Sequence, residues 1–167
     1  MRYRSGIGYD VHQFTEGRPL ILGGVKVPHP KGLSGHSDAD VLAHAVADAI
    51  LGAIGEPDIG YWFPPTDDSI EGINSLKILE KAAELVGEKG GHIENIDSTL
   101  IAEAPKVMKH VSAMKEKIAE ALGMDATDIG IKATTNETMG FIGREEGIGE
   151  LISFTHEKNV HINLAGQ

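Results

Sequence analysis

The segment from Asp38 to Pro57, DADVLAHAVADAILGAIGEP, constrains the fold more than any other part of this 167-residue chain. Its apolar residues recur every three or four positions, which is the period of an α-helix with one buried face. Gly52, Gly55 and Pro57 are residues that stop a helix. The pattern predicts a helix that packs against a sheet through Val41, Leu42, Ala45, Val46, Ala49, Ile50 and Ala53.

Strand-like and helix-like segments alternate along the rest of the chain. Alternating and β-branched residues predict strands over residues 6–14, 19–28, 92–103, 128–135 and 147–157. The first two are expected to form a hairpin through the polar turn at 15–18, with a second turn at Gly23-Gly24. Two further amphipathic helices are predicted, one over 76–90 and one from about Lys106 or Lys109 to Leu122.

These segments predict an α+β or α/β fold in which a mixed sheet packs against about three helices. Hydrophobic residues make up 41% of the chain and charged residues 24%, as in an ordinary globular domain. We expect residues 1–157 to form a single domain. Residues 158–167 are a C-terminal tail whose order the sequence leaves open.

Composition, missing sequence signals and net charge restrict the classes of function. The chain has no cysteine, which excludes disulfides and a thiol nucleophile and leaves histidine, carboxylate or water to hold a metal. The sequence shows no membrane-spanning run and no secretory signal, so we expect a cytoplasmic location. We expect a bacterial source, with a plastid origin as the alternative. The net charge of −10 argues against a nucleic-acid partner, because such binding needs Lys and Arg for the phosphates.

Asp10 and His12, within GYDVHQF, form the first candidate site. Side chains two residues apart on a strand lie on the same face, so these two should project together. In the simpler interpretation, Asp10 only orients His12 or caps a turn. In the functional interpretation they are two ligands of a metal site, and a third protein ligand is then needed.

A polar stripe on the first helix and the preceding turn offers that ligand. His36, Asp40, His44 and Asp48 stand four residues apart, so they follow one side of the helix. A solvated helix face has the same pattern, but the neighbours here are Ala and Val where an exposed face usually carries Lys and Glu. One histidine of the stripe and the Asp-x-His pair give two imidazoles and one carboxylate, a set that leaves a coordination position open.

Three more segments have features of phosphate binding. AEAPKVMKH places Lys106 and Lys109 at the predicted start of a helix, where free N–H groups favour an anion. KATTNE, residues 132–137, offers two hydroxyls and a carboxylate for a phosphate or a divalent ion. GFIGREEGIG, residues 140–149, combines glycines with Arg144, although such a segment is more often a plain turn.

Four segments together resemble the 2-C-methyl-D-erythritol 2,4-cyclodiphosphate synthase family of the non-mevalonate isoprenoid pathway. They are GYDVHQF, KGLSGHSDADVLAHAVADAILGAIGEPDIGYWFPPTD, IAEAPKVMKHV and KATTNETMGFIGREEGI, in this order over roughly residues 8–149. The resemblance implies an α+β homotrimer with active sites between subunits. It implies conversion of 4-diphosphocytidyl-2-C-methyl-D-erythritol 2-phosphate to the cyclic diphosphate and CMP, by attack of the substrate's own 2-phosphate on its β-phosphate.

The resemblance also implies the metal ligands. Asp10, His12 and His44 would bind one zinc ion per subunit, which selects His44 rather than His36 from the polar stripe. Glu137 would bind a magnesium or manganese ion that bridges the two phosphates of the substrate diphosphate.

His36 and Thr135 are the catalytic residues that the resemblance implies, through positioning and stabilisation of charge rather than as bases. His36 would lie in a mobile segment, residues 33–37, that holds the methylerythritol phosphate. The implied substrate-binding residues are Ser37, Asp58, Ile59, Gly60, Phe63, Asp67, Ala102, Ala104, Pro105, Lys106, Val107, Met108, Ala133, Thr134, Phe141 and Arg144.

Three positions depart from the common family pattern. Pro65 replaces an Asp that would contact the sugar, Asn136 replaces a Thr, and Glu145 replaces a Gly beside Arg144. Glu145 argues against an anionic ligand on the trimer axis. Two other functions stay as alternatives: a metal-dependent phosphoesterase that activates water and releases orthophosphate, and a non-catalytic trimeric binding protein with structural histidines.

Overall fold

A mixed five-stranded sheet organises the computed structural model, which describes residues 2–158 of the chain. The strands of the protein are β1 (Arg2–Thr15), β2 (Leu20–Leu22), β3 (Val25–Val27), β4 (Gly32–Leu33), β5 (Gly91–Ile101), β6 (Ile129–Thr134) and β7 (Gly147–Lys158). The five strands of the sheet lie in the order β4-β1-β7-β5-β6, with β5 and β6 parallel and the other neighbours antiparallel. The predicted α+β class is confirmed.

Three longer helices pack on one face of this sheet. They are α1 (Val41–Ile54), α3 (Leu76–Glu88) and α4 (Val111–Leu122), and two short helices are α2 (Ile59–Trp62) and α5 (Gly140–Gly143). None of the helices within residues 2–158 is long and apolar enough to cross a membrane. Of the predicted tail, only Lys158 belongs to the described part of the chain, as the last residue of β7.

The predicted hairpin between the first two strand segments is wrong. β1 pairs along its length with β7, from Arg2 to Gln13, and with β4 at its end. The second segment instead folds on itself, because Gly23 and Gly24 both adopt positive φ and turn β2 back onto β3. The Asp40 carboxylate accepts hydrogen bonds from both glycine amides, at 2.9 and 2.6 Å, which fixes this turn against the start of α1.

Helix α1 is more deeply buried than its one-sided pattern predicts. All of its residues except Asp48 and Gly52 are buried. Its backbone lies directly on β1, where a Cβ atom at Gly6 or Gly8 would come within 2.0 or 1.9 Å of a helix carbonyl oxygen. This close approach brings the first turns of α1 next to the end of β1.

The third long helix begins later than predicted. Helix α4 starts at Val111, after a single 3₁₀ turn at Met108–His110, so Lys106 lies in the loop after β5 and not in a helical turn. Residues 102–107 run as a loop from the end of β5 to this turn, so no helical structure begins before Met108.

The face of the sheet opposite the helices carries exposed apolar side chains. In β1 the odd-numbered residues Tyr3, Ile7, Tyr9 and Val11 lie on this face, and Leu151 of β7 is paired with Tyr9 beside them. Ile7 is 75% exposed and Tyr3 63%, which is unusual for large apolar side chains on the central strands of a sheet.

Candidate active site

Three potential metal ligands meet between the end of β1 and the first turns of α1. Asp10 Oδ2 lies 3.0 Å from His12 Nε2 and 3.2 Å from His44 Nδ1, and the two ring nitrogens are 3.1 Å apart. Ligand atoms about 2.0–2.1 Å from a tetrahedral ion are separated by roughly 3.3 Å, so the three atoms fit one small cation. The structure thus brings together the three ligands named from the sequence.

Each histidine uses its second ring nitrogen in a hydrogen bond. His12 Nδ1 lies 2.6 Å from the carbonyl oxygen of Ser34, so Nδ1–H donates and Nε2 keeps its lone pair for a metal. His44 Nε2 lies 2.9 Å from Ser75 Oγ and 3.1 Å from Ser37 Oγ. Such outer partners orient the rings of metal-binding histidines and select the tautomer.

Asp38 fixes the direction of the hydrogen bond between Ser75 and His44. The Ser75 hydroxyl donates to Asp38 Oδ1, and the Ser75 amide donates to Asp38 Oδ2 over 3.1 Å. Because an ionised carboxylate only accepts, the Ser75 oxygen must accept from His44 Nε2–H, which frees Nδ1. Neither Asp38 nor Ser75 was assigned a role from the sequence, in which they stand 37 residues apart.

The electrostatics of the cluster keep the Asp10 carboxylate ionised. Burial raises the pKa of the Asp10 carboxyl, but hydrogen bonds and positive charge from His12 and His44 hold it well below its usual range. Burial lowers the pKa of His12, whereas the hydrogen bond to Asp10 and the charge of Asp10 raise it, with a net increase. Asp10 is therefore ionised at neutral pH, which is the form that binds a metal.

The two carboxylates of the polar stripe are structural. Asp40 is fully buried and caps α1, with Oδ1 accepting from the Ala43 amide over 3.1 Å. Asp48 Oδ1 accepts from the Ile59 amide over 2.9 Å and so ties α1 to α2. The stripe is thus not a solvated helix face.

Arg18 holds the segment that carries His36. Its guanidinium donates to the carbonyl oxygens of Gly35, over 2.5 Å, and Ser37. From the other side, the Gly72 amide donates to the His36 carbonyl oxygen over 2.8 Å. The backbone is thus bound on both sides of His36, while the His36 side chain is exposed. No sequence pattern marked this role, because an Arg in a polar turn is typically solvated.

A small apolar cavity of about 90 Å³ adjoins His44. Four residues of the implied catalytic and substrate-binding sets line it together with Pro65, which offers apolar surface where the family pattern has a carboxylate. The lining residues are His36, Ser37, His44, Ile59, Phe63, Pro65, Ile70, Ile73 and Ile78.

Three implied substrate-binding residues lie outside the lining of this cavity. Asp58 caps α2, with Oδ1 accepting from the Tyr61 amide over 3.3 Å, and Gly60 is exposed on the same helix. Asp67 accepts from the Ser69 amide over 2.9 Å and caps a 3₁₀ turn. Both carboxylates are exposed, so a substrate can still reach their second oxygen.

A second cavity, of about 150 Å³, lies where β5 and β6 end. Because these strands are parallel, the loops that follow them meet at the same edge of the sheet. Eight implied substrate-binding or catalytic residues and Leu100 line this cavity, and Ala104 precedes the lining residue Pro105. The lining comprises Leu100, Ala102, Pro105, Lys106, Val107, Met108, Ala133, Thr134 and Thr135.

Glu103 holds the loop that follows Thr135, a lining residue of this second cavity. Its Oε1 atom accepts from the amides of Asn136 and Thr138, at 3.0 and 3.1 Å. Glu137 lies between them with positive φ and an exposed carboxylate, whose Oε1 accepts from the Thr135 hydroxyl over 2.7 Å. Glu103 was missed from the sequence, because it stands 33 residues before Asn136.

Arg144 pairs with Glu146 rather than with the unusual Glu145. Its Nε lies 2.8 Å from Glu146 Oε1, and its Nη2 lies 3.2 Å from Oε2. Phe141 is 40% exposed and lines a shallow cavity with Val11 and other residues near His12. Neither side chain lines the two cavities described above.

Fold and site together define an α+β protein with a two-histidine, one-carboxylate candidate metal centre and an adjoining cavity. The YgbB family model matches residues 3–155. The 2-C-methyl-D-erythritol 2,4-cyclodiphosphate synthase of Akkermansia muciniphila is 58% identical over 145 residues, covering 86% of each chain.

Two solved structures are similar in fold and sequence. The bifunctional IspDF of Campylobacter jejuni matches with a TM-score of 0.91 and 44% identity, over 95% of this chain and 43% of that one. The IspF–CDP complex of Plasmodium falciparum matches with a TM-score of 0.82 and 34% identity, over 94% of this chain and 97% of that one. This chain therefore belongs to the YgbB family, the 2-C-methyl-D-erythritol 2,4-cyclodiphosphate synthases.

Proposed function

We propose that this chain is an enzyme, a phosphorus–oxygen lyase that forms 2-C-methyl-D-erythritol 2,4-cyclodiphosphate. Its substrate is 4-diphosphocytidyl-2-C-methyl-D-erythritol 2-phosphate, and CMP is released. The observation that carries the proposal is the Asp10–His12–His44 cluster, whose second ring nitrogens are already engaged. The names of the relatives give the product, and the chain's own residues account for the chemistry.

The metal ligands that we propose agree with the donor atoms present. A zinc ion on Asp10, His12 and His44, with a magnesium or manganese ion on Glu137, would supply positive charge to the diphosphate as the bond to CMP breaks. The other residues of the site contribute by fixing the orientation of the metal ligands. Asp38 and Ser75 do so for His44, and the Thr135 hydroxyl does so for Glu137.

The second cavity is our proposed cytidine pocket. Ala102, Val107 and Leu100 give it a largely apolar wall, and the exposed Lys106 at its rim counters the phosphate charge. Backbone amides of the loop from Ala102 to Met108 are suited to the polar edge of a base, and the similar Plasmodium falciparum protein was solved as a complex with CDP. The Thr134 and Thr135 hydroxyls would then meet the phosphates.

Positioning is the main catalytic effect in this proposal. The nucleophile is a phosphate of the substrate itself, so the enzyme must fold a polyanion until one phosphate approaches another. Well-oriented intramolecular attack removes about 7–11 kcal/mol of a barrier. His36, whose backbone is clamped by Arg18, would position the attacking phosphate beside the apolar cavity that holds the methylerythritol carbon chain.

We further propose a homotrimer with active sites shared between subunits. The metal cluster and the cytidine pocket lie at the same edge of the sheet. The cluster is on β1 and the pocket follows β5, and β7 lies between these two strands. Two strand spacings therefore separate the cluster from the pocket in one chain, which is roughly 10 Å. They line different cavities. The exposed apolar face around Ile7 and Tyr9 provides a surface on which further copies can pack, which would bring one copy's cluster to its neighbour's pocket.

We propose residues 1–157 as one catalytic domain of a cytoplasmic bacterial enzyme that uses a small-molecule nucleotide and no nucleic acid or membrane. The test is phosphorus NMR of the purified protein with the substrate and magnesium. We expect equal amounts of CMP and a cyclic diphosphate, lost on chelation of zinc and restored by zinc. Orthophosphate as the product would support the water-activating phosphoesterase, and an unchanged spectrum would support a binding protein.

A further inference from the structure

A second cluster of potential ligands lies at the opposite end of the sheet from the active site. His92 Nε2 lies 2.6 Å from Glu94 Oε1 and 3.8 Å from Glu157 Oε2. One ligand atom from each of the three residues lies within 4.8 Å of the others. Glu157 is seven residues beyond Glu150, the partner of Asp10 on β7, so the two clusters are about 23 Å apart along the strands.

The strand register brings the three side chains to one face. His92 of β5 is directly opposite Glu157 of β7, so their side chains lie on the same side of the sheet. A register shift follows on β5, where Ile93 and Asn95 face consecutive residues of β7 and Glu94 is the extra residue between them. Such a bulge re-aims a side chain, and here it brings the Glu94 carboxylate back to His92.

The Glu157 carboxylate is buried with few polar partners, which favours a bound cation beside it. Its residue exposure is only 8%, and its Oε1 atom is buried without a hydrogen-bond partner among residues 2–158. Its other oxygen faces His92 Nε2 at 3.8 Å, too far for a hydrogen bond. A buried carboxylate with so few partners is costly unless a positive charge compensates it.

We propose that His92, Glu94 and Glu157 form a second divalent-metal site. One imidazole nitrogen and two carboxylate oxygens suit a borderline transition metal such as Zn²⁺, Co²⁺ or Ni²⁺. The ion would replace the direct contact between His92 and Glu94 and neutralise the two carboxylates. It would also join the beginning of β5 to the end of β7, far from the reacting phosphates.

The test counts metal ions per chain by equilibrium dialysis against Zn²⁺, followed by elemental analysis. Wild type is expected to bind two, His44→Ala one, His92→Ala one, and the double variant none. His29→Ala, which removes a half-buried histidine outside both clusters, should keep two. An equal count for wild type and His92→Ala, or none for His44→Ala, would overturn the proposal.

Two further measurements separate binding from a folding defect. In the His44→Ala background, Zn²⁺ should raise the melting temperature, and adding Glu94→Gln, a near-isosteric change, should weaken Zn²⁺ binding at least tenfold. Cyclisation by His92→Ala at saturating zinc should equal that of wild type, since the site is remote from the reaction. A Zn²⁺ affinity unaffected by Glu94→Gln would contradict the assignment of ligands.

Discussion

The candidate metal cluster, Asp10, His12 and His44, and the proposed cytidine pocket lie at the same edge of the sheet but are built in opposite ways. The cluster consists of side chains on a strand and a buried helix, and each histidine is oriented by a further hydrogen bond. The pocket is formed mainly by the loop 102–108 and by the end of β6 with Thr135, and several of these side chains are exposed. Metal binding at the cluster thus depends on the orientation of individual side chains. Binding at the pocket depends instead on the hydrogen bonds that fix the conformation of its loops.

This difference predicts unequal responses to mutation. Loss of one ligand removes a donor that no neighbouring group can replace. Loss of one wall residue of the pocket leaves most contacts in place, and the sensitive residue there should be the one that anchors the loop. The expected effects on activity and binding are therefore largest at the metal ligand and smaller at the pocket.

His44→Ala should abolish metal binding at the active site and lower kcat by about 10³-fold or more, because the positive charge that stabilises the diphosphate as CMP leaves is lost. CMP affinity, measured by calorimetry, should stay unchanged. Activity is followed by CMP release at saturating magnesium. The control His29→Ala should keep wild-type activity, and full activity in His44→Ala would contradict the role of the cluster.

Ser75→Ala should weaken zinc binding by about 10–100-fold without removing a ligand, because His44 loses the acceptor that fixes its tautomer. The measurement is competition for Zn²⁺ with a coloured chelator. Excess zinc should restore most of the activity, which distinguishes this variant from His44→Ala. Ser112→Ala, at an exposed position on α4, is the matched control; equal zinc affinities for the two variants would show that Ser75 does not orient His44.

Glu103→Ala should weaken CMP binding by about tenfold, since two loop amides lose a charged acceptor. Zinc content should not change. Glu103→Gln, which keeps one acceptor oxygen, should lie between wild type and Glu103→Ala. Calorimetric titration with CMP measures the effect, and Glu120→Ala on the exposed face of α4 serves as control. A loss of zinc in Glu103→Ala would show that the two regions are not independent.

Glu150→Gln should change the pH dependence of stability more than activity. Burial raises the pKa of Glu150 to about 8, despite the hydrogen bond that the Ser98 hydroxyl donates. The folded state therefore keeps a proton that the unfolded state releases, and the free energy of unfolding should fall as pH rises from 4.5 to about 8.

Gln does not ionise, so the variant should gain stability relative to wild type over this range, on the order of 3–5 kcal/mol between its ends. Urea unfolding at a series of pH values measures the effect, with Glu120→Gln as control. Parallel pH profiles for wild type and Glu150→Gln would contradict a neutral buried carboxyl.

The sequence predicted the Asp10–His12–His44 cluster better than it predicted the residues that hold the site in place through hydrogen bonds. The strand period placed Asp10 and His12 together, and helical spacing reduced the third ligand to a few candidates, from which the family resemblance selected His44. Asp38, Ser75 and Arg18 were missed because their contacts join segments far apart in the chain, and no local pattern marks them.

The prediction of the fold likewise failed where the contact joins distant parts of the chain. The helical and strand periods located most elements, but the partner of β1 was predicted wrongly. The true partner, β7, begins more than 130 residues after β1 ends, so no local signal could indicate the pairing. The local turn at Gly23-Gly24 was predicted, and it joins β2 to β3, which are adjacent in the chain.

Complementation between two inactive variants tests the shared active site most directly. His44→Ala lacks a functional cluster and Glu137→Ala lacks the proposed diphosphate metal ligand beside the pocket. If active sites form between subunits, random mixed trimers should regain roughly a quarter of wild-type sites, because one in four neighbouring pairs joins an intact cluster to an intact pocket. CMP release after co-expression measures this. Recovery to about a quarter of wild-type activity would support the shared site, and no recovery in verified mixed trimers would contradict it.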